Sequence, residues 1–231
     1  MKLAGTIPIR EAGHGQFIAE LPALAGIKTA GIEQIPILNP PNTVVYPSRL
    51  EIFSSWKSAT NSEGVVMHFY VDDRKIHPVV LNPMKWTYRL SRASAVISPD
   101  LSVYANSPPC VRRYNTRANR TAAAIWQAYG VNVIANVRWN DPSDYEYCFD
   151  GCPRQSQIAV SSVSMLRNRW DRRNFIHGYQ ETLERLEPTS VIWYGAIPRE
   201  LPRSARESVE ILSFPSRSAI AFREKALNGC R

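Results

Sequence analysis

Five polar groups stand directly after short apolar runs in this chain, and each is a type that handles protons or phosphates. They are Asp72 and Asp73, Asp100, Arg138 with Trp139, Ser161 with Ser162, and Tyr194; Asp150 lies just ahead of the run at Ile158. In Ser98-Pro99-Asp100 a proline stiffens the backbone beside a carboxylate, which suits a general base, a nucleophile or a metal ligand. The plainer role for Asp100 is to cap the turn toward Leu101 and Ser102 through its side chain. Arg138 closes Asn136-Val137-Arg138-Trp139, where a guanidinium can grip phosphate with two parallel hydrogen bonds. Its plainer role is a salt bridge to Asp141, Asp144 or Asp150. Asp150, in Phe149-Asp150-Gly151, has the plain alternative of an Asp-Gly turn. If Asp72, Asp100 and Asp150 converge, they form the carboxylate cluster that binds one or two Mg²⁺ ions for phosphodiester chemistry. His68 and Tyr70 share the strand face of Asp72 by the period-two rule; His68 then reads as a packed core histidine or, alternatively, a general base.

These residues need elements to gather them. Val65–Val71, Ser94–Ile97, Val131–Val137, Ile158–Val160, Val191–Tyr194 and Val209–Phe214 read as short apolar strands. Between them, Asn82-Pro83 opens a short helix to Leu90, and Pro108 opens a longer one closed by Gly130. Ile176, Tyr179, Leu183 and Leu186 mark a helix stopped by Pro188, and Ser218–Leu227 a closing helix. Strands that do not alternate, separated by helices, predict an α/β fold with a mostly parallel sheet covered on both faces and flanked by helices. An incomplete or distorted barrel is favoured over an open doubly wound sheet, because no Gly-rich phosphate turn follows the first strand. In either architecture the strand carboxyl ends share one edge, where ligands bind. Residues 1–46, broken by Pro and Gly every few positions, read as an irregular arm with one short strand, packed on the body through Phe17, Ile18, Leu21, Leu24, Ile27, Ile32 and Ile35. Residues 47–231 read as a single domain.

The 231 residues carry a formal charge of +8, with 44% hydrophobic and 21% charged residues. That excludes a disordered or fibrous chain and leans toward a polyanionic partner. Ten Arg against five acids fall within residues 112–173. Arg113, Arg117 and Arg120 lie opposite the stripe of Val111, Tyr114, Ala118, Ala122, Ile125 and Tyr129. Arg167, Arg169, Arg172 and Arg173 crowd a helix start, where positive charge opposes the macrodipole, so helix stability does not explain them. A phosphate-facing patch does, with Trp170, Tyr114 and Trp126 available to stack on bases; a solvated Arg-rich face is the alternative. No apolar run approaches the roughly 20 residues that span a bilayer, and Pro8 and Arg10 interrupt the start, so a cytoplasmic protein without a membrane partner is expected. Cys110, Cys148, Cys152 and Cys230 read as free thiols, with zinc binding by Cys148 and Cys152 together with Cys110 and a histidine as the alternative. No motif for an organic cofactor is present; Mg²⁺ is the one cofactor the carboxylates suggest.

Ser98-Pro99-Asp100-Leu101-Ser102-Val103-Tyr104, Asn136-Val137-Arg138-Trp139, Phe149-Asp150-Gly151 and Ala159-Val160-Ser161-Ser162, preceded by His68-Phe69-Tyr70 and Asp72-Asp73, resemble the ordered motifs of the domain-of-unknown-function family 4417. The resemblance covers about residues 47–197. Cys152 stands where that family's pattern implies a hydrophobic residue, and Ser164 where it implies glycine. The resemblance implies a phage, plasmid or prokaryotic context and adds no reaction. Two functions fit: a phage- or plasmid-type nucleic-acid-processing enzyme built on the acidic edge, or a non-catalytic DNA- or RNA-binding accessory protein using the Arg-rich helices.

Overall fold

A computed structural model of the chain describes residues 24–55 and 63–228. Phe17, Ile18, Leu21 and Cys230 lie outside the described residues. The described part of the arm holds an antiparallel pair, β1 (Thr29–Ala30) and β2 (Ile35–Pro36), where one strand was predicted. The pair packs on the long helix α3 (Pro109–Ala128), with Ile35 fully buried.

Seven further strands make one sheet: β3 (Arg49–Ile52), β4 (Val65–His68), β5 (Ala95–Ile97), β6 (Val133–Asn136), β7 (Gln157–Ser161), β8 (Ser190–Tyr194) and β9 (Glu210–Phe214). Their spatial order is their sequence order and all six pairings are parallel. A doubly wound sheet needs a reversal of strand order, and this sheet has none; it curls instead into a half-barrel.

Repeated right-handed crossovers without a reversal put the connecting helices on one face. Accordingly, α1 (Asp73–Leu81) and α3 (Pro109–Ala128) pack on Val65, Met67, Val96 and Val133, while α4 (Arg169–Leu186) packs on Ile158, Val160, Val191 and Trp193. The other face was expected to be covered as well. It is the concave one, filled by Val66, Ala95, Ile97, Ile134, Ala159 and Ile192 of the sheet itself. Val45 closes its amino end: the Gln157 side chain donates to the Val45 carbonyl at 2.9 Å and accepts from the Val45 amide at 2.9 Å.

Two helices depart from the sequence pattern. The segment Asp73–Leu81, to which the sequence pattern assigned no element, forms α1 and runs through Pro78, held by the buried Ile76, Val79 and Val80. In α3 the predicted apolar stripe is partly outside: Val111, Tyr114 and Tyr129 are exposed, while Arg112, Asn115, Asn119 and Arg120 are buried. The reason is that α3 is covered on two sides, by the sheet and by the β1–β2 pair. The other α-helices of the described residues are α2 (Thr87–Leu90), between α1 and α3, and α5 (Arg203–Glu207) and α6 (Arg217–Asn228), after α4.

The α4–sheet contact depends on a missing side chain. Trp139 stacks on Phe175 with ring centroids 5.4 Å apart and donates to the Asn174 carbonyl at 3.2 Å. A Cβ at Gly178 would stand 2.1 Å from the Trp139 indole nitrogen. Alanine favours a helix over glycine by about 1 kcal/mol, but a clash with a buried ring costs about 1–3 kcal/mol and has no flexible end to relieve it. Gly178→Ala is therefore expected to lower the melting temperature by several degrees in a thermal unfolding experiment.

Candidate functional site

The ends of β4, β5 and β6 converge at the carboxyl rim. Ser98 continues from β5, donates its amide to the Ile134 carbonyl and accepts the Asn136 amide on its hydroxyl at 2.8 Å. This locks the two strand ends together and brings Asn136 beside Asp100. The Asn136 side chain donates to Asp100 Oδ1 at 2.7 Å and accepts the Tyr70 hydroxyl at 3.0 Å. The other carboxylate oxygen faces Arg138, whose guanidinium nitrogen lies 3.6 Å away. From α1, Asp73 accepts from the Ser102 hydroxyl at 3.0 Å and so holds the loop that follows Asp100.

Burial governs the electrostatics here. It pushes the Asp100 carboxyl above its ordinary value; Arg138 and the Asn136 hydrogen bond oppose this, Asp73 adds to it and Arg120 opposes it. Burial, reinforced by the Asp100 charge, also raises the Tyr70 hydroxyl well above its usual range, so Tyr70 stays a donor. Arg138 is the under-used group. Its side chain is only 13% exposed, its one carboxylate neighbour is beyond hydrogen-bond distance, and its Nε–H has no hydrogen-bond partner. A guanidinium offers five donors, and a desolvated one with so few filled is satisfied by an incoming anion.

Beside this cluster three rings line the concave face. His68 lies 4.7 Å from Tyr194 and 5.3 Å from Tyr70, and Tyr70 stacks on Tyr194 at 4.8 Å. Burial lowers the His68 pKa to about 4, so it is neutral at pH 7. Its Nδ1 accepts the Tyr70 amide at 3.2 Å, which leaves the ring proton on Nε2.

A family model described as Domain of unknown function (DUF4417) matches residues 27–215. The chain belongs to the DUF4417 family. The match reaches beyond residues 47–197 at both ends and takes in the β1–β2 pair and β9. Among its relatives, the Gene 1 protein of Mycobacterium phage L5 is 30% identical over 134 residues, which are 58% of this chain and 58% of that protein. The Gene 1 protein of Mycobacterium phage D29 is 29% identical over 169 residues, 71% of this chain and 61% of that protein. The DUF4417 chain thus spans about six-tenths of the length of each relative. No solved structure matches it.

Of the residues singled out in the DUF4417 motifs, the structure brings Asp100 and Arg138 together and draws others away. Asp72 does not reach the rim along a strand face, because β4 ends at His68 and the chain turns into α1. Asp72 caps that helix, accepting the Arg74 amide at 3.0 Å and pairing with its guanidinium at 2.9 Å. Asp150 packs against the β1–β2 turn, where a Cβ on Gly31 would stand 2.0 Å from its Oδ2. Burial and Glu33 raise its carboxyl. Among the described residues no group of three or more His, Cys, Asp or Glu is placed to hold a metal ion. Asp141 and Asp144 pair with the buried Arg112, not with Arg138. The Ser161 hydroxyl accepts the Val163 amide, and that of Ser162 donates to the Ala196 carbonyl.

The basic residues divide as well. Arg120 was expected on a solvent face and is instead 2% exposed, donating to the Asn136 carbonyl at 2.7 Å, the Cys148 carbonyl at 3.3 Å and Cys152 Sγ at 2.7 Å. The Cys152 departure from the family pattern gives this guanidinium a partner. Arg113 pairs with Glu33 and Glu146, Arg117 donates to the Glu33 carbonyl, and Arg172 pairs with Glu200. Arg167, Arg169 and Arg173 remain exposed with Trp170, which is 65% exposed. Ser164, where glycine was implied, has φ of 68° and accepts from Arg167. Among the described residues no helix is long and apolar enough to cross a membrane.

Asn136 is the site residue for which the sequence suggested no role, although it left a signal as a polar residue inside an apolar strand two positions before Arg138. Tyr70 was placed only on the face of Asp72, and Arg120 was given to the outer face of its helix.

Two outcomes follow. Arg120→Met strands the Asn136 and Cys148 carbonyls, and urea unfolding is expected to show a loss of about 2 kcal/mol or more. Because the folded state holds the Asp100 proton more tightly than the unfolded chain, the stability this group contributes is present below the ordinary carboxylate pKa and lost as pH rises through the raised one. Melting temperatures measured from pH 4 to 8 should fall less steeply for Asp100→Asn than for the parent protein.

Proposed function

We propose that this chain is a nucleic-acid-processing enzyme of phage type, in which Arg138 receives a phosphate of the substrate and Asp100 handles the proton. The unfilled, largely buried guanidinium of Arg138 beside Asp100 carries this reading: it is a preformed anion acceptor next to a carboxyl whose raised pKa brings it nearer the pH where a general base or acid works. Asn136 and Tyr70 orient Asp100. The start of α4 follows β7, so Arg167, Arg169, Trp170 and Arg173 belong to the same rim. Three exposed guanidiniums and an exposed indole there suit a phosphate backbone and a stacked base. The phage origin of the Gene 1 relatives is consistent with such a substrate.

The test uses labelled single- and double-stranded DNA and RNA, the parent protein, Asp100→Asn, Arg138→Met and the triple variant Arg167→Ala/Arg169→Ala/Arg173→Ala. Turnover is expected to drop on the order of 100-fold or more in each single variant with binding largely kept. The triple variant should bind more weakly and lower the slope of log K against log salt by about 2–3. Full turnover in Asp100→Asn removes the acid–base assignment, oligonucleotide binding without turnover by the parent protein leaves the accessory-protein reading, and the absence of any oligonucleotide binding removes the nucleic-acid reading.

A further inference from the structure

The first and last strands of the half-barrel do not pair, and a cavity of about 410 Å³ opens between them. At its amino end the gap is narrowed by the Tyr46 hydroxyl, which donates to Glu210 at 3.2 Å. Toward the carboxyl end it widens into a cleft walled by Leu50 and Ile52 of β3, Phe214 of β9 and Ile220 of α6, with His68 and Tyr194 as its floor. The volume is that of a small-molecule site, and the lining has its usual composition, apolar walls with few polar groups.

The polar groups present are selective. His68 offers a neutral ring with Nδ1 engaged, hence a hydrogen-bond donor without charge. Arg49 and Glu51 pair with each other along β3 at 3.1 Å and cancel. Arg217 stands at the mouth, where its backbone amide donates to the Tyr194 hydroxyl at 3.0 Å; among the described residues its guanidinium makes no ion pair. Inside the cleft a charged ligand would lose its hydration without a countercharge, whereas a flat ring meets the Phe214 and Tyr194 rings and a donor. At the mouth a single cation awaits an anion.

We infer that the cleft between β3 and β9 binds a nucleobase, with the ring held among Phe214, Tyr194 and His68 and the attached phosphate on Arg217. The inference deepens the nucleic-acid reading by placing a base in a pocket distinct from the Asp100–Arg138 cluster, and free nucleotides test it without any oligonucleotide. The probes are adenosine, adenosine 5′-monophosphate and ribose 5-phosphate, titrated at millimolar concentration into the full chain while the His68 imidazole signals are followed by NMR. Adenosine and its monophosphate should shift those signals and ribose 5-phosphate should not. The monophosphate should bind several-fold more tightly than adenosine, an advantage lost in Arg217→Ala, whose side chain is exposed and whose backbone contact is retained. Phe214→Ala should weaken adenosine by about tenfold, the scale of one base–aromatic stack. If ribose 5-phosphate shifts His68 as much as the monophosphate does, or no probe shifts it, or Phe214→Ala leaves adenosine affinity unchanged, the nucleobase pocket is overturned. Failure of oligonucleotides at the rim would overturn the function reading while leaving this result standing.

Discussion

A guanidinium buried on the helix side of the sheet sets the geometry of the rim. Arg120 reaches from the middle of α3 to the carbonyl at the last residue of β6 and to Cys148 and Cys152 in the loop that follows. One planar fork with several neutral acceptors ties a helix, a strand end and a loop to one another. Buried guanidiniums are costly unless their donors are filled, so this arrangement tolerates little displacement. Asn136 is fixed through its carbonyl by Arg120 and through its amide by Ser98; its side chain is thereby free to orient Asp100.

Around that anchor the rim combines charge and burial in an uneven way. Asp100 gains an amide donor and a nearby cation, yet burial still dominates its titration. Arg138, two residues beyond the end of β6, has its Nε–H unfilled among the described residues and lies 3.6 Å from Asp100. Two adjacent groups that are each incompletely satisfied cost stability in the resting protein, and that cost is typical of a place kept for a ligand. By contrast Arg112, still more buried and likewise without a partner at Nε, is paired with both Asp141 and Asp144 and reads as structure.

The monotone strand order has a second consequence. With the connecting helices on one face, the concave face is filled mainly by the sheet's own side chains, and filling fails where β3 and β9 part. The amino end is sealed by Val45, Gln157, Tyr46 and Glu210, so the opening lies at the carboxyl half, where His68, Tyr194 and Phe214 end their strands. Rim and cleft are therefore products of one topology.

The amino-acid order alone determined the strands from β4 to β9, the long helices, and the position of Asp100 and Arg138 directly after strands, because short apolar runs and their terminators report local burial. It did not determine β3 or α1: Arg49–Ile52 is a short, half-buried edge strand without a clear pattern, and Pro78 masks a helix that long-range packing supports. Only the tertiary structure decided between a half-barrel and a doubly wound sheet, since strand order is a matter of which distant segments pair. It also decided the fate of individual charges. Helical spacing placed Arg120 on an outer face, but the β1–β2 pair and the loop after β6 enclose that face; an aspartate after a strand can point to the rim, as Asp100 does, or turn to cap the next helix, as Asp72 does. Side-chain partners are chosen by elements dozens of residues away, and one-dimensional spacing carries no record of them.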